Sequence, residues 1–152
     1  MTNHTEHIHL KYSATQLFDL VADVERYPEF LPWVIAAHIQ RRKEQTIWVE
    51  MTMGTNFLRR RISTTASLDR PRRIKISGHD PIFDTFEQCW NFDATADGGT
   101  NVEYSVEYKF RSRFLQVLIG TSFADRTRTI VTAFKRRARQ LYGTPACSEQ
   151  IS

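Results

Sequence analysis

Cysteine is scarce: only Cys89 and Cys147 occur in 152 residues. Cys89 falls in a strand pattern and Cys147 in a polar tail, and their spacing matches no metal or redox motif. A reducing compartment is the simpler expectation. Long apolar runs are also missing, and none approaches the roughly 18 residues that a spanning helix needs. The chain is expected to visit a membrane surface without crossing it. Met1 to Lys11 has neither the apolar core of a secretory leader nor an Arg-rich amphipathic stretch. The expected location is therefore the cytoplasm, with peripheral contact at the inner face of the cell membrane. No internal repeat, low-complexity segment or internal linker interrupts the sequence.

Catalytic signals are equally thin. His7 and His9 share one face of a strand, but no third ligand completes a metal site. Asp84 and Glu87 lie three apart in a strand, hence on opposite faces, and make a poor acid/base pair. No Ser or Thr sits in a nucleophile motif. These absences predict no catalytic residue, no metal and no catalytic cofactor, and a protein that is not an enzyme.

Apolar residues and aromatics are plentiful, the first at 41% and the second as ten Phe, five Tyr and three Trp. Each ring brings a large apolar surface that must be buried or used. Lys and Arg exceed Asp and Glu by 21 to 17, a net charge of +4. The excess is clustered at Arg59 to Arg61, at Arg70, Arg72, Arg73 and Lys75, and at Lys135, Arg136, Arg137 and Arg139. Such clusters suit lipid headgroups or nucleic-acid phosphates, with a solvated surface as the plain alternative.

Periodicity orders the chain. Residues 4–11 alternate as a short edge strand. Ser13 and Gln16 match a capping box that opens a helix, which Tyr27-Pro28 should end. Strands are then predicted at Val34 to Arg41, Thr46 to Met53, Phe57 to Leu68, Arg73 to Gly78 and Phe83 to Phe92. Asp97-Gly98-Gly99-Thr100 is a strong hairpin turn. Asn101 to Arg111 is the cleanest strand, with Val102, Tyr104, Val106, Tyr108 and Phe110 facing inward. Ser112 caps a long final helix, in which Gly120 is a candidate break and Gly143 the terminator. Residues 1–143 thus read as one domain and 144–152 as a flexible tail. The class is α+β: a meander with one apolar face, covered by the one long helix able to do so.

Several separated blocks carry a family likeness. They are Val24-Glu25-Arg26-Tyr27-Pro28-Glu29-Phe30-Leu31-Pro32-Trp33, Asp80-Pro81-Ile82-Phe83 through Trp90-Asn91-Phe92, and Val106 to Ser112. The last is Ala133-Phe134-Lys135-Arg136-Arg137-Ala138 with Leu141-Tyr142-Gly143. In this order they resemble the coenzyme-Q-binding, START-like family, which includes polyketide cyclase-dehydrase-like and ribosome-association-toxin-like domains. The likeness spans about Ile8 to Gly143. Arg60 interrupts an apolar alternation, and Val34 stands where the family often has Cys. The resemblance implies a helix-grip fold, a curved antiparallel sheet around a C-terminal helix, with a hydrophobic tunnel. It implies a protein that binds ubiquinone or another polyprenyl quinone as ligand and supports respiration. The alternative it implies is a ribosome-binding toxin that blocks subunit association; a cyclase-like enzyme is more remote. No DNA partner is expected, and no RNA-recognition motif occurs.

Burying a methylene is worth about 0.8 kcal/mol, so a carrier must match a polyprenyl tail with apolar surface of its own. Side-chain direction nominates Val49, Met51, Ile62, Ile76, Phe86, Trp90, Tyr104, Val106 and Tyr108 from the sheet. Leu115, Leu118 and Ile119 are the candidates from the helix. The alternative for each is ordinary packed core. Trp33 joins these lining candidates, and Tyr27, Pro28, Phe30 and Pro32 before it form a stiff aromatic segment suited to gating a cavity or touching a bilayer. The alternative there is a loop stapled to the core. Arg60, if directed inward, would meet a polar headgroup at the tunnel mouth.

Overall fold

The structure, a computed structural model, describes residues 2–54 and 59–143. The first strand, β1 (Thr2–Leu10), leads into α1 (Ala14–Ala22) and a 3-10 helix (Val24–Glu29). Six strands follow: β2 (Val34–Lys43), β3 (Thr46–Gly54), β4 (Arg59–Asp69), β5 (Arg73–Gly78), β6 (Phe83–Ala94) and β7 (Thr100–Phe110). The last element is α2 (Arg113–Tyr142). The seven strands form one antiparallel sheet in the order β1-β7-β6-β5-β4-β3-β2, so the first strand pairs with the last. The predicted strand start at Phe57 and the tail at 144–152 lie outside the described residues.

Local chemistry sets the element ends. Ser13 Oγ accepts from Gln16 N at 3.1 Å, and Gln16 Oε1 accepts from Ser13 N at 3.0 Å, so the capping box is formed. Leu17, Phe18, Leu20 and Val21 then bury one face of α1. The helix stops at Ala22, earlier than Tyr27-Pro28 suggests, because Asp23 leaves helical angles. The next six residues, Pro28 included, wind as a 3-10 helix. Residues three apart eclipse in that geometry, which puts Val24 and Tyr27 together on the buried side.

α2 runs unbroken through Gly120. One glycine costs a helix only about 1 kcal/mol, which the burial of Thr127, Val131, Phe134 and Ala138 outweighs. Its ends are held as the sequence predicts, by Ser112 Oγ accepting from Leu115 N and by Gly143 at φ 76°. Tyr12 donates to the Gly143 carbonyl at 2.8 Å and Tyr142 to the Gln16 carbonyl at 3.0 Å, tying the end of α2 to the start of α1.

The inner face follows the alternation closely in β7, where Val102, Tyr104, Val106, Tyr108 and Phe110 are all buried. In β6 a register shift between Phe83 and Thr85 breaks the alternation. A bulge of this kind re-aims side chains, and Phe83 joins the inner face, its ring 5.1 Å from Phe110.

Candidate functional site

Between the β3–β6 part of the sheet, the 3-10 helix and α2 lies an enclosed apolar cavity of about 100 Å³. Val49 and Met51 reach it from β3, Ile62 from β4, Ile76 from β5, and Phe86 and Trp90 from β6. Trp33 closes it from the segment before β2. The structure thus brings seven of the nominated residues around one space.

The other nominated lining residues lie elsewhere. Tyr104, Val106 and Tyr108 face inward but are buried in the core outside the cavity lining. Tyr104 lies 4.6 Å from Trp90, and Tyr108 lies 4.6 Å from Phe123. Leu115 and Ile119 are half-buried and pack against the core beyond the cavity. Leu118 is 62% exposed and lines nothing inside. It precedes the buried Thr127 by about two and a half turns, which places it on the opposite side of the helix.

Sequence reasoning missed the helix side of the lining. Phe123, Ile130 and Phe134 supply it, at spacings of seven and four that put them on one face. That signal was present in the periodicity. Thr64 and Gln88 add the few polar groups, on the same alternating faces as Ile62 and as Phe86 and Trp90. Gln88 Nε2 donates to the Tyr104 hydroxyl at 2.8 Å. Burial pushes the Tyr104 phenol well above its ordinary pKa. Tyr27 also lines the cavity, and burial raises its phenol too. Its hydroxyl donates to the Val21 carbonyl. Both phenols are therefore neutral across the physiological range.

The aromatic segment is held shut by several contacts. Phe30 sits edge-on to Phe134 at 5.1 Å and to Tyr27 at 5.8 Å. The Arg137 guanidinium lies over the Phe30 ring at 5.2 Å, and Arg137 Nη2 donates to Glu29 at 2.6 Å. Hydrogen bonds from Arg26, and then from Arg137, hold the Glu29 carboxyl below its ordinary range. Pro28 is half-buried and Pro32 exposed. Arg60 does not enter the cavity as a headgroup ligand, because Asp80 captures it. Three hydrogen bonds of 2.7–2.9 Å join the two. The Asp80 side chain is 3% exposed and also accepts from Ile82 N.

Chemically, the cavity can solvate an apolar group and offer it one or two hydrogen bonds. Among the described residues no cluster of His, Cys, Asp and Glu could hold a metal ion. Its volume is well below the roughly 300–1,000 Å³ of sites that enclose a whole drug-sized ligand. A polyprenyl quinone enters only if the walls move apart.

This architecture is that of a START-like helix-grip domain. A START superfamily protein from Mycobacterium smegmatis superposes with a TM-score of 0.76 at 14% identity, over 91% of this chain and 98% of that one. The solution structure of an 18 kDa protein from Caulobacter crescentus gives 0.71 at 29% identity, over 95% and 100%. The family described as polyketide cyclase / dehydrase and lipid transport matches residues 10–135, and the chain belongs to it. The ribosome association toxin RatA of Pseudomonas aeruginosa is 32% identical over 134 residues, 88% of this chain and 93% of the relative. A mitochondrial coenzyme Q-binding protein of Dictyostelium discoideum is 24% identical over 139 residues, 89% and 68%. No helix among the described residues is long and apolar enough to cross a membrane.

Proposed function

We propose that this protein binds a ribosomal subunit and opposes subunit joining, with its START-like body as a recognition surface and no reaction of its own. The observation that carries the reading is near full-length similarity, at 32% identity, to a ribosome association toxin. Two features of the molecule support it. The cavity is only about 100 Å³ and its gate is bolted, which suits a body that works through its exterior. The exterior is basic, at a net +4, and meets polyanions favourably.

The test is sedimentation. With the protein overproduced, free subunits should rise at the expense of joined ribosomes, and the protein should travel with one subunit. Unchanged profiles, with the protein at the top of the gradient, count decisively against the reading.

The enclosed apolar cavity favours a second reading, a carrier of ubiquinone or a related polyprenyl lipid that visits the membrane and supports respiration. The family's description as lipid transport and the coenzyme Q-binding relative support it. Mass spectrometry of copurifying lipids tests it. Stoichiometric quinone would favour the carrier, and an empty protein that takes up none from vesicles would sink it.

A further inference from the structure

A second concavity, separate from the apolar cavity, runs between the end of β1 and the last turns of α2. It measures about 510 Å³ and is lined by His9, Lys11 and Tyr12 on one wall and by Lys135, Arg136 and Arg139 on the other. The three helix cations are all exposed, and with 3.6 residues per turn positions 135, 136 and 139 share one stripe. We infer that this groove is where the protein grips the phosphate backbone of ribosomal RNA. The inference rests on the ribosome reading above and names the surface that would serve it.

The groove gathers more unpaired charge than the other basic clusters. Arg60 is tied to Asp80, Arg61 to Glu50, Arg70 to Asp19 and Arg72 to Asp69, which leaves Arg59 in one cluster and Arg73 and Lys75 in the other without an ion pair among the described residues. In the third cluster Arg137 is tied to Glu29. Among the described residues, no ion pair engages Lys135, Arg136 or Arg139. The facing wall is nearer neutrality, because His9 and Lys11 share Asp97 at 3.1 and 2.9 Å. Three uncompensated cations on one wall therefore set the sign of the groove.

Shape separates RNA from a bilayer here. The apolar residues of the groove, Leu10 and Tyr12, are 9% and 7% exposed, so nothing in it is available to enter hydrocarbon. Of the exposed large apolar side chains of α2, Phe114, Val117 and Leu118 belong to the other end of the helix, and Leu141, at this end, is not among the residues that line the groove. Phe114, Val117 and Leu118 stand about 25–38 Å from the three cations along the axis at 1.5 Å per residue. A recessed cationic wall instead fits a projecting phosphate ridge. No exposed ring in the groove is placed to stack on a base, and Tyr12 spends its hydroxyl on the Gly143 carbonyl. The expected contact is with backbone rather than sequence.

The experiment compares the wild type with Lys135→Gln/Arg136→Gln/Arg139→Gln and with Arg42→Gln/Lys43→Gln/Arg59→Gln, which removes the same charge from the far side of the sheet. Binding to purified bacterial 30S and 50S subunits is measured against salt, with phosphatidylglycerol vesicles as a second probe and thermal melting as the folding check. The groove variant should bind its subunit at least tenfold more weakly near 0.1 M salt. Its log–log salt slope should be shallower by about 2 to 3. The far-side variant should stay within about twofold, since it touches no phosphate. If the wild type binds a subunit and the groove variant binds equally well, the groove is wrong while the ribosome reading stands. Equal weakening by both variants means diffuse attraction and also overturns the groove. If the wild type binds neither subunit, the ribosome reading falls and takes this inference with it. Loss confined to the vesicles transfers the surface to lipid and refutes the RNA assignment. Should the triple variant melt early, Arg136→Gln and Arg139→Gln singly must each show part of the effect.

Discussion

Two sides of the same interior behave differently. Toward β7, ring packs on ring: Trp90 on Tyr104 at 4.6 Å, Tyr108 on Phe123 at 4.6 Å, and Phe83 on Phe110 at 5.1 Å. Toward β3, β4 and β5, aliphatic side chains such as Val49, Ile62 and Ile76 face a space. Both sides come from the same alternation of apolar and polar residues. The difference lies in what stands opposite. The rings of β6, β7 and α2 are long enough to meet, whereas the shorter chains of β3 to β5 are not. Alternation therefore tells which face is inside but not whether that face touches protein.

The largest expected effect breaks the packed side. Phe110→Ala should cost about 3–5 kcal/mol in urea denaturation. Met51→Ala, on the cavity side, should cost clearly less, because part of its surface already lacks a protein partner. Equal losses would mean that the cavity side is packed after all. Enlargement sharpens the contrast from the other direction. Ala138, with 0% exposure, leaves no room, so Ala138→Leu should lose about 1–3 kcal/mol. Ala66 borders the cavity, so Ala66→Val should change stability by less than about 1 kcal/mol. It should also reduce uptake of an apolar fluorescent probe. Stabilities that fall together in both variants would remove the distinction.

The smallest effect concerns acid, which neither side of the interior should feel directly. Asp19 is held below its ordinary 3.8 by hydrogen bonds from Arg70, and Glu29 below its ordinary 4.5 by Arg26 and then Arg137. Folded-state values below the unfolded ones mean stability that is fully present above the ordinary carboxylate range. It is lost as pH falls through the lowered values. Melting temperature should decline slightly on acidification below about pH 4.5, and Glu29→Gln should flatten part of that decline. A decline centred near pH 6–7 would point to histidine instead.

Much of the frame was legible because its signals are local. The Ser13 capping box, the Asp97–Gly99 turn and the unbroken alternation of β7 each depend on neighbours in sequence. The α+β class and the covering helix followed from them. What escaped depends on partners far along the chain. The bulge at Phe83 is fixed by pairing with Phe110, and no local residue announces it. Tyr104 and Tyr108 point inward as read, yet only the rings opposite, Trp90 and Phe123, decide that they are core. Leu118 misled because an apolar residue near a helix start resembles a packed one. Only the direction of the sheet, set by Thr127 and Ala138, turns it outward.

The pairing of the first strand with the last has a consequence for synthesis. Thr2–Leu10 finds its hydrogen-bonding partner only at Tyr108 to Thr100, some ninety residues later. At about 5–20 residues per second, the nascent strand waits roughly 5–20 seconds before its partner has been made. A greasy strand would be hazardous over that interval. This one carries His4, Glu6, His7 and His9, and only Leu10 ends up fully buried. Its polarity suits a segment that must stay solvated and unattached until the rest of the sheet arrives.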